Sequence, residues 1–147
     1  MRRLTNCGAL IVGAFCLVWV ISCTPAAAQS SQVLDCENAT NPRGVTVMNP
    51  HLSWTSGLAS NPNQYAYQIL VASSAEKLKA NEGDVWDSGE VISDQRAAQY
   101  QGKPLSSLQH YYWKVRVWSF PFYGVSAYSD PASWTTGLLF YDNRDAK

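Results

Sequence analysis

The stretch HYYWKVRVWSFPFYG, residues 110–124, carries eight aromatic rings, counting the imidazole of His110, and two cations. Its first part alternates strictly. Tyr111, Trp113, Val115 and Val117 fall on one side of an extended chain, and Tyr112, Lys114, Arg116 and Trp118 on the other. A period of two is the geometry of a β-strand, whose successive side chains point to opposite faces. The aromatic and β-branched side is the one a core takes. The side with the cations is read as turned to solvent or to a partner. Phe120, Phe122 and Tyr123 lie beyond the alternation, in a loop. The stretch therefore divides its rings between a core and an outward surface.

Working outward, the same period recurs. In YAYQILVASS, residues 65–74, Tyr65, Tyr67, Ile69 and Val71 share one face, and Ala66, Gln68, Leu70 and Ala72 the other. VLDCEN (33–38), HLSWTS (51–56, with Leu52 and Trp54 on one face), VWDSGEV (85–91), AAQYQG (97–102) and ASWTTGLL (132–139) are shorter strand candidates. TNPRG (40–44) reads as a turn, with Asn before Pro and then Gly. SAEKLKANEGD (74–84) offers a Ser N-cap and a turn or two of helix ending near Gly83. About seven strands with turn signals between them predict an all-β domain, a two-sheet antiparallel β-sandwich over residues 33–140. Trp54, Tyr111 and Trp113 are its structural rings.

The beginning of the chain is excluded from that fold. Arg2 and Arg3 form a positive n-region, Ala9 to Ile21 is almost wholly apolar, and PAAAQ has the small-x-small pattern of a cleavage site. Residues 1–28 read as a signal peptide, a cleaved signal helix processed after Ala28. A second route competes: VISC, Val20–Cys23, has the form of a bacterial lipobox, which would make Cys23 the lipidated first residue. Either route exports the domain to the periplasm, the extracellular space or, lipid-anchored, the outer surface. Residues 29–32 are a loose linker and 141–147 a tail. Loss of Arg2 and Arg3 leaves nine cations against eleven carboxylates, a net charge near −2. That excludes a nucleic-acid partner, which needs a concentrated basic surface. A membrane contact would come only through the lipid. Cys36 then stands alone, so no internal disulfide forms even in an oxidising compartment.

Several stretches combine in a way that composition does not show. LDCEN, TNPRGV, PHLSWT, YQILVASSAEKL, GDVWDSGEVISDQ, YQGKPLSSLQHYYWKVRVW and SDPASWTTGLL, in this order over Val33 to Leu139, resemble the N-terminal segment of bacterial α-L-rhamnosidases. The resemblance implies a fibronectin type III-like (immunoglobulin-like) sandwich at the head of an inverting glycoside hydrolase. The acidic residues of that family's helical-toroid catalytic domain have no counterpart among these residues, so the resemblance implies a detached first domain. It also implies a tyrosine corner: PLSSLQHYYWKV places Leu105 and Leu108 ahead of Tyr111, whose hydroxyl would bond upstream backbone while its ring enters the core.

The remaining chemistry is sparse. Asp84, Asp87 and Glu90 are the densest carboxylates, but Asp and Gly in that mixture form turns first, and inverting hydrolysis needs two carboxyls flanking a bond with room for a water. His51, His110 and Cys36 are isolated and lack the close spacing of zinc ligands. No Gly-x-Ser-x-Gly and no phosphate-binding glycine loop occur. No catalytic residue, metal ligand or cofactor is assigned. The outward rings Tyr112, Trp118, Phe120, Phe122 and Tyr123 are the candidate site, as an interface or as a carbohydrate contact. The expectation is a non-catalytic accessory domain of a secreted α-L-rhamnosidase, packed against other domains of a longer chain. The alternative is a free-standing secreted or lipid-anchored module that binds rhamnose-containing glycans. A third reading is a remnant that folds poorly because its apolar loop has lost its partner.

Overall fold

The computed structural model describes residues 32–55, 63–120 and 124–140. In chain order its strands are β1 (Leu34–Cys36), β2 (Arg43–Val45), β3 (His51–Trp54), β4 (Gln64–Ala72), β5 (Trp86–Asp87), β6 (Val91–Ile92), β7 (Ala97–Gln99), β8 (His110–Ser119), β9 (Gly124–Val125) and β10 (Ala132–Thr136). One helix, α1 (Ala75–Lys79), follows β4. The expected signal peptide with VISC and Cys23, the 29–32 linker except Gln32, and the 141–147 tail lie outside the described residues.

The two strongly alternating stretches pair with each other. β4 and β8 run antiparallel from Gln64↔Ser119 to Ala72↔Tyr112. Opposite residues in such a pair share a face, so Tyr67, Ile69 and Val71 join Tyr111, Trp113, Val115 and Val117 on one side. All seven belong to the core. β10, β2, β5, β6 and β9 extend this sheet, and β1, β3 and β7 form the second. Leu52, Trp54, Tyr100, Leu105 and Trp134 complete the core between the layers. The fold is the two-sheet sandwich that the alternation predicts.

Two local readings are corrected. Arg43 and Gly44, read as part of a turn, lie in β2, which pairs with β10 in parallel, Thr135↔Arg43 and Thr136↔Val45. The sheet is therefore not wholly antiparallel. The cause is a change of sheet between β1 and β2, where Glu37 (φ 52), Asn38 (φ 61) and Asn41 (φ 51) take left-handed backbone. Asn tolerates that conformation because its short polar side chain bonds locally. SFPFYGVSAYSD, 119–130, reads as a loop, but it contains β9. The strand is too short to show a period, yet it pairs Trp118↔Val125 and Ser119↔Gly124.

The rings assigned to structure have definite neighbours. Trp54 donates its indole N–H to Gln64 Oε1 at 3.0 Å and meets the Tyr67 ring edge-on, centroids 4.9 Å apart. The Tyr111 ring stacks on Trp134 at 5.5 Å, and its hydroxyl accepts the Ser106 N–H at 2.8 Å. That bond satisfies a backbone donor in the segment leading into β8. Trp113 is fully buried, with no partner for its indole N–H.

Tyr111→Phe removes only the acceptor for the N–H of Ser106, an exposed residue, and the expected loss is about 0.5–1.5 kcal/mol, that of an ordinary hydrogen bond. Trp113→Ala opens a large cavity and should cost about 3–5 kcal/mol. Urea unfolding of both variants at neutral pH checks the order.

Candidate functional site

The outer face of β8 begins at Tyr112. Its ring is half-buried against Leu70, Ala72 and Leu78 and stacks on His110 with centroids 4.6 Å apart and planes 3° from parallel. Tyr112 thus belongs to the sheet's contact with α1. It sits six residues from Trp118 along β8, about 20 Å at the rise of a strand, and the two do not form one cluster.

Lys114 is placed differently from the outward cation that the pattern suggests. It is buried, and its Nζ donates to Leu78 O and to Asn81 Oδ1, each at 2.6 Å. The reason is the short helix lying over this part of the face. Ser74 caps its N-terminus by accepting the Lys77 N–H, and the left-handed Asn81 (φ 62) follows its end. Leu78 O also accepts the Asn81 N–H at 3.0 Å, so Lys114 reaches across from the sheet to supply a second donor to a carbonyl of the helix end. Burial pushes its pKa down.

Tyr128 closes the same face from above. Lys114 Nζ lies 4.5 Å and the Arg116 guanidinium 4.8 Å from its ring centroid. Arg116 donates Nε to Gln68 Oε1 at 2.8 Å, and Gln68 Nε2 donates to Asp87 Oδ1 at 2.7 Å. Tyr128 is held there because the segment after β9 returns along β8: Ser126 and Ser129 hydroxyls accept the Val117 and Val115 N–H groups at 3.1 Å. Sequence reading missed Tyr128, since nothing local marks a loop residue as a lid over a strand twelve residues back. A cleft of about 610 Å³ beside α1 is lined by Leu78, Lys79, Tyr112, Lys114 and Tyr128, among others. Tyr112 is already stacked on His110 and Tyr128 on the cations, so these rings make a poor platform for a sugar.

Beyond Arg116 the face opens. Ile92, Ala66, Trp118 and Val125 are successive partners across β6, β4, β8 and β9 and so form one outward row. Ala66 is fully covered, while Ile92 and Val125 are exposed. Trp118 is half-buried, with the Arg116 guanidinium 5.1 Å from its ring. Phe120 is exposed next to this row. Ile92 and Val125 were missed because their strands are two residues long and carry no period. Phe122 and Tyr123 lie outside the described residues.

The carboxylates serve structure. Asp84 accepts from Ser73 N–H at 2.9 Å, Ser73 Oγ at 2.7 Å and Lys77 Nζ at 2.7 Å. Burial alone would raise its pKa, but the bonds from Lys77 and Ser73 outweigh it and hold it at about 2. Asp87 accepts from Gln68 and from the Gly89 N–H. The Cys36 thiol sits in the core, its pKa pushed up to about 12 by burial and by the nearby Glu37 charge, so it is an unreactive apolar filler. Among the described residues no group of three or more His, Cys, Asp and Glu could hold a metal.

The model of the Rha78A-like N-terminal immunoglobulin domain family matches residues 31–140. The chain belongs to this family. An α-L-rhamnosidase of Streptomyces avermitilis is 42% identical over 113 residues, which are 76% of this chain and 11% of the relative. One from Formosa agariphila is 38% identical over 105 residues, 70% of this chain and 11% of that protein. The solved structure of the α-L-rhamnosidase from Dictyoglumus thermophilum superposes with a TM-score of 0.68 at 42% identity, over 71% of this chain and 12% of that one. This Rha78A-like domain thus spans about a tenth of the relatives it matches, and the match is to their N-terminal immunoglobulin-like domain rather than to the catalytic one.

Lys114→Met keeps the stem and deletes both hydrogen bonds to the α1 end. The expected loss is about 1–3 kcal/mol, with protease cleavage between residues 75 and 83 accelerated while β8 stays intact. Unchanged cleavage would show that Leu78, the Ser74 cap and the Lys77–Asp84 pair hold α1 without Lys114.

Proposed function

We propose that this domain is the non-catalytic accessory head of a secreted α-L-rhamnosidase, acting by packing against neighbouring domains of a longer chain and not by chemistry of its own. The observation that carries this reading is the extent of the matches, which cover the sandwich and about a tenth of each rhamnosidase. The site geometry agrees with it. Asp84 and Asp87 each accept from backbone and neighbouring side chains, and the two line different clefts and do not flank one as hydrolysis requires. Export is part of the proposal and rests on the reading of residues 1–28. The packing surface is the row of Ile92, Trp118 and Val125, an exposed apolar strip of the kind that marks interfaces. Packing is favoured over glycan binding because Arg116 lies over the Trp118 ring, which a pyranose would otherwise use.

An immunoblot of the source cells with an antibody against this domain tests the reading. The expected band is several times heavier than the 147-residue chain. A single band at the size of the processed chain, together with retardation on a rhamnose-rich polysaccharide that Trp118→Ala abolishes, would replace it with the glycan-binding module.

A further inference from the structure

The end of the sandwich where the described chain stops carries a second apolar surface. After β10 the chain stays pinned to the domain: Gly137 N–H donates to Val45 O at 2.8 Å, Leu108 N–H to Gly137 O at 3.1 Å, and Leu139 N–H to Ser107 Oγ at 2.8 Å. Residues 137–140, GLLF, therefore run as an extended segment with Leu139 turned into the core at 8% exposure. Its neighbours Leu138 and Phe140 point the other way, 57% and 79% exposed. An extended segment with one wet face alternates apolar and polar residues, whereas one covered on both faces is apolar throughout. GLLF is of the second kind, yet this domain covers only one side of it.

Two further residues enlarge the patch. Val47, two residues past the Thr136↔Val45 pair on the β2 side as Leu138 is on the β10 side, is 44% exposed. Leu108, across from Gly137, is 67% exposed and has φ 56. A leucine in left-handed backbone is uncommon, since Gly or Asn takes that conformation at less cost. At this position the side chain itself is what a glycine would lack. Such an observed departure points to a use for the residue. The patch lies beyond the His110 end of β8, and Trp118 is eight strand residues from His110, about 26 Å.

We infer that Val47, Leu108, Leu138 and Phe140 are the docking surface for the folded unit that follows residue 147 in a longer chain. The inference rests on the reading of the domain as the head of a longer rhamnosidase. It goes further by placing the covalently following unit on this pole and not on the Trp118 row. The relatives supply the length: this domain is their N-terminal one and accounts for 11% of the two curated chains, so the rest of each follows it. The side chains of the patch, three aliphatic and one phenyl, fit an apolar protein surface and offer a sugar no hydrogen-bonding group.

Hydroxyl-radical footprinting read by mass spectrometry tests this, comparing the native protein captured from source cells with the 147-residue chain produced alone. Labelling at Leu108, Leu138 and Phe140 should fall roughly fivefold or more in the native protein, as exposed side chains reach the burial of an interface core. A longer native protein with unchanged labelling at these residues overturns the inference and leaves the rhamnosidase reading standing. A native protein no longer than this chain overturns both. Low labelling already present in the chain alone would put its own tail or, where it deepens with concentration, a second copy on the patch, and would equally overturn it.

Discussion

The ladder between β4 and β8 is the constraint on which the other elements depend. Its eight registered pairs place Ile69 and Val71 beside Val115 and Trp113, all essentially inaccessible to water, where each large apolar side chain contributes about 1.5–3 kcal/mol of transfer free energy. Since the side-chain period is two, a slip of one residue would exchange the two faces of the strand. Trp113 would then stand outward, and the Lys114 ammonium would face the core. Register is therefore fixed by burial on one side and by charge on the other.

The outer side of that ladder explains how a small domain covers a wide sheet. α1 takes the Tyr112 end through Leu78, Lys114 ties down the helix terminus, and Tyr128 roofs the two cations. Asp87, Gln68 and Arg116 form a chain of hydrogen bonds across three strands. A cation buried without a carboxylate costs free energy unless its donors are satisfied, and here two oxygen acceptors and an aromatic face satisfy Lys114. Only the Trp118 end remains open. The described residues pack around one continuous core cluster.

The long strands were legible because their periods are strong. β4 and β8 show alternation over eight or more residues, and the inward set Tyr111, Trp113, Val115 and Val117 follows from it directly. The Ser74 cap and the short helix were legible from chemistry in the same way. What escaped reading was tertiary. β2 is three residues long and depends on β10, some ninety residues away. Lys114 looks outward in any local pattern, and only the helix above it decides that it is buried. The candidate site was half legible: Trp118 and Phe120 lie at the open end, Tyr112 does not join them, and Ile92, Val125 and Leu108 gave no local signal. A strand of two residues has no period, and a left-handed leucine is not written in its own side chain.

The measurement that bears most directly on the account is hydrogen exchange of the 147-residue chain alone, followed amide by amide. A sandwich complete in itself and built on the β4–β8 ladder predicts that the amides of β4 and β8 exchange last, at the rate set by global unfolding, with α1, β6 and β9 opening earlier. Amides of β8 exchanging as fast as those of β9 would contradict it. The core would then be incomplete without a neighbour, and the domain could no longer be described as a self-sufficient fold that offers surface to one.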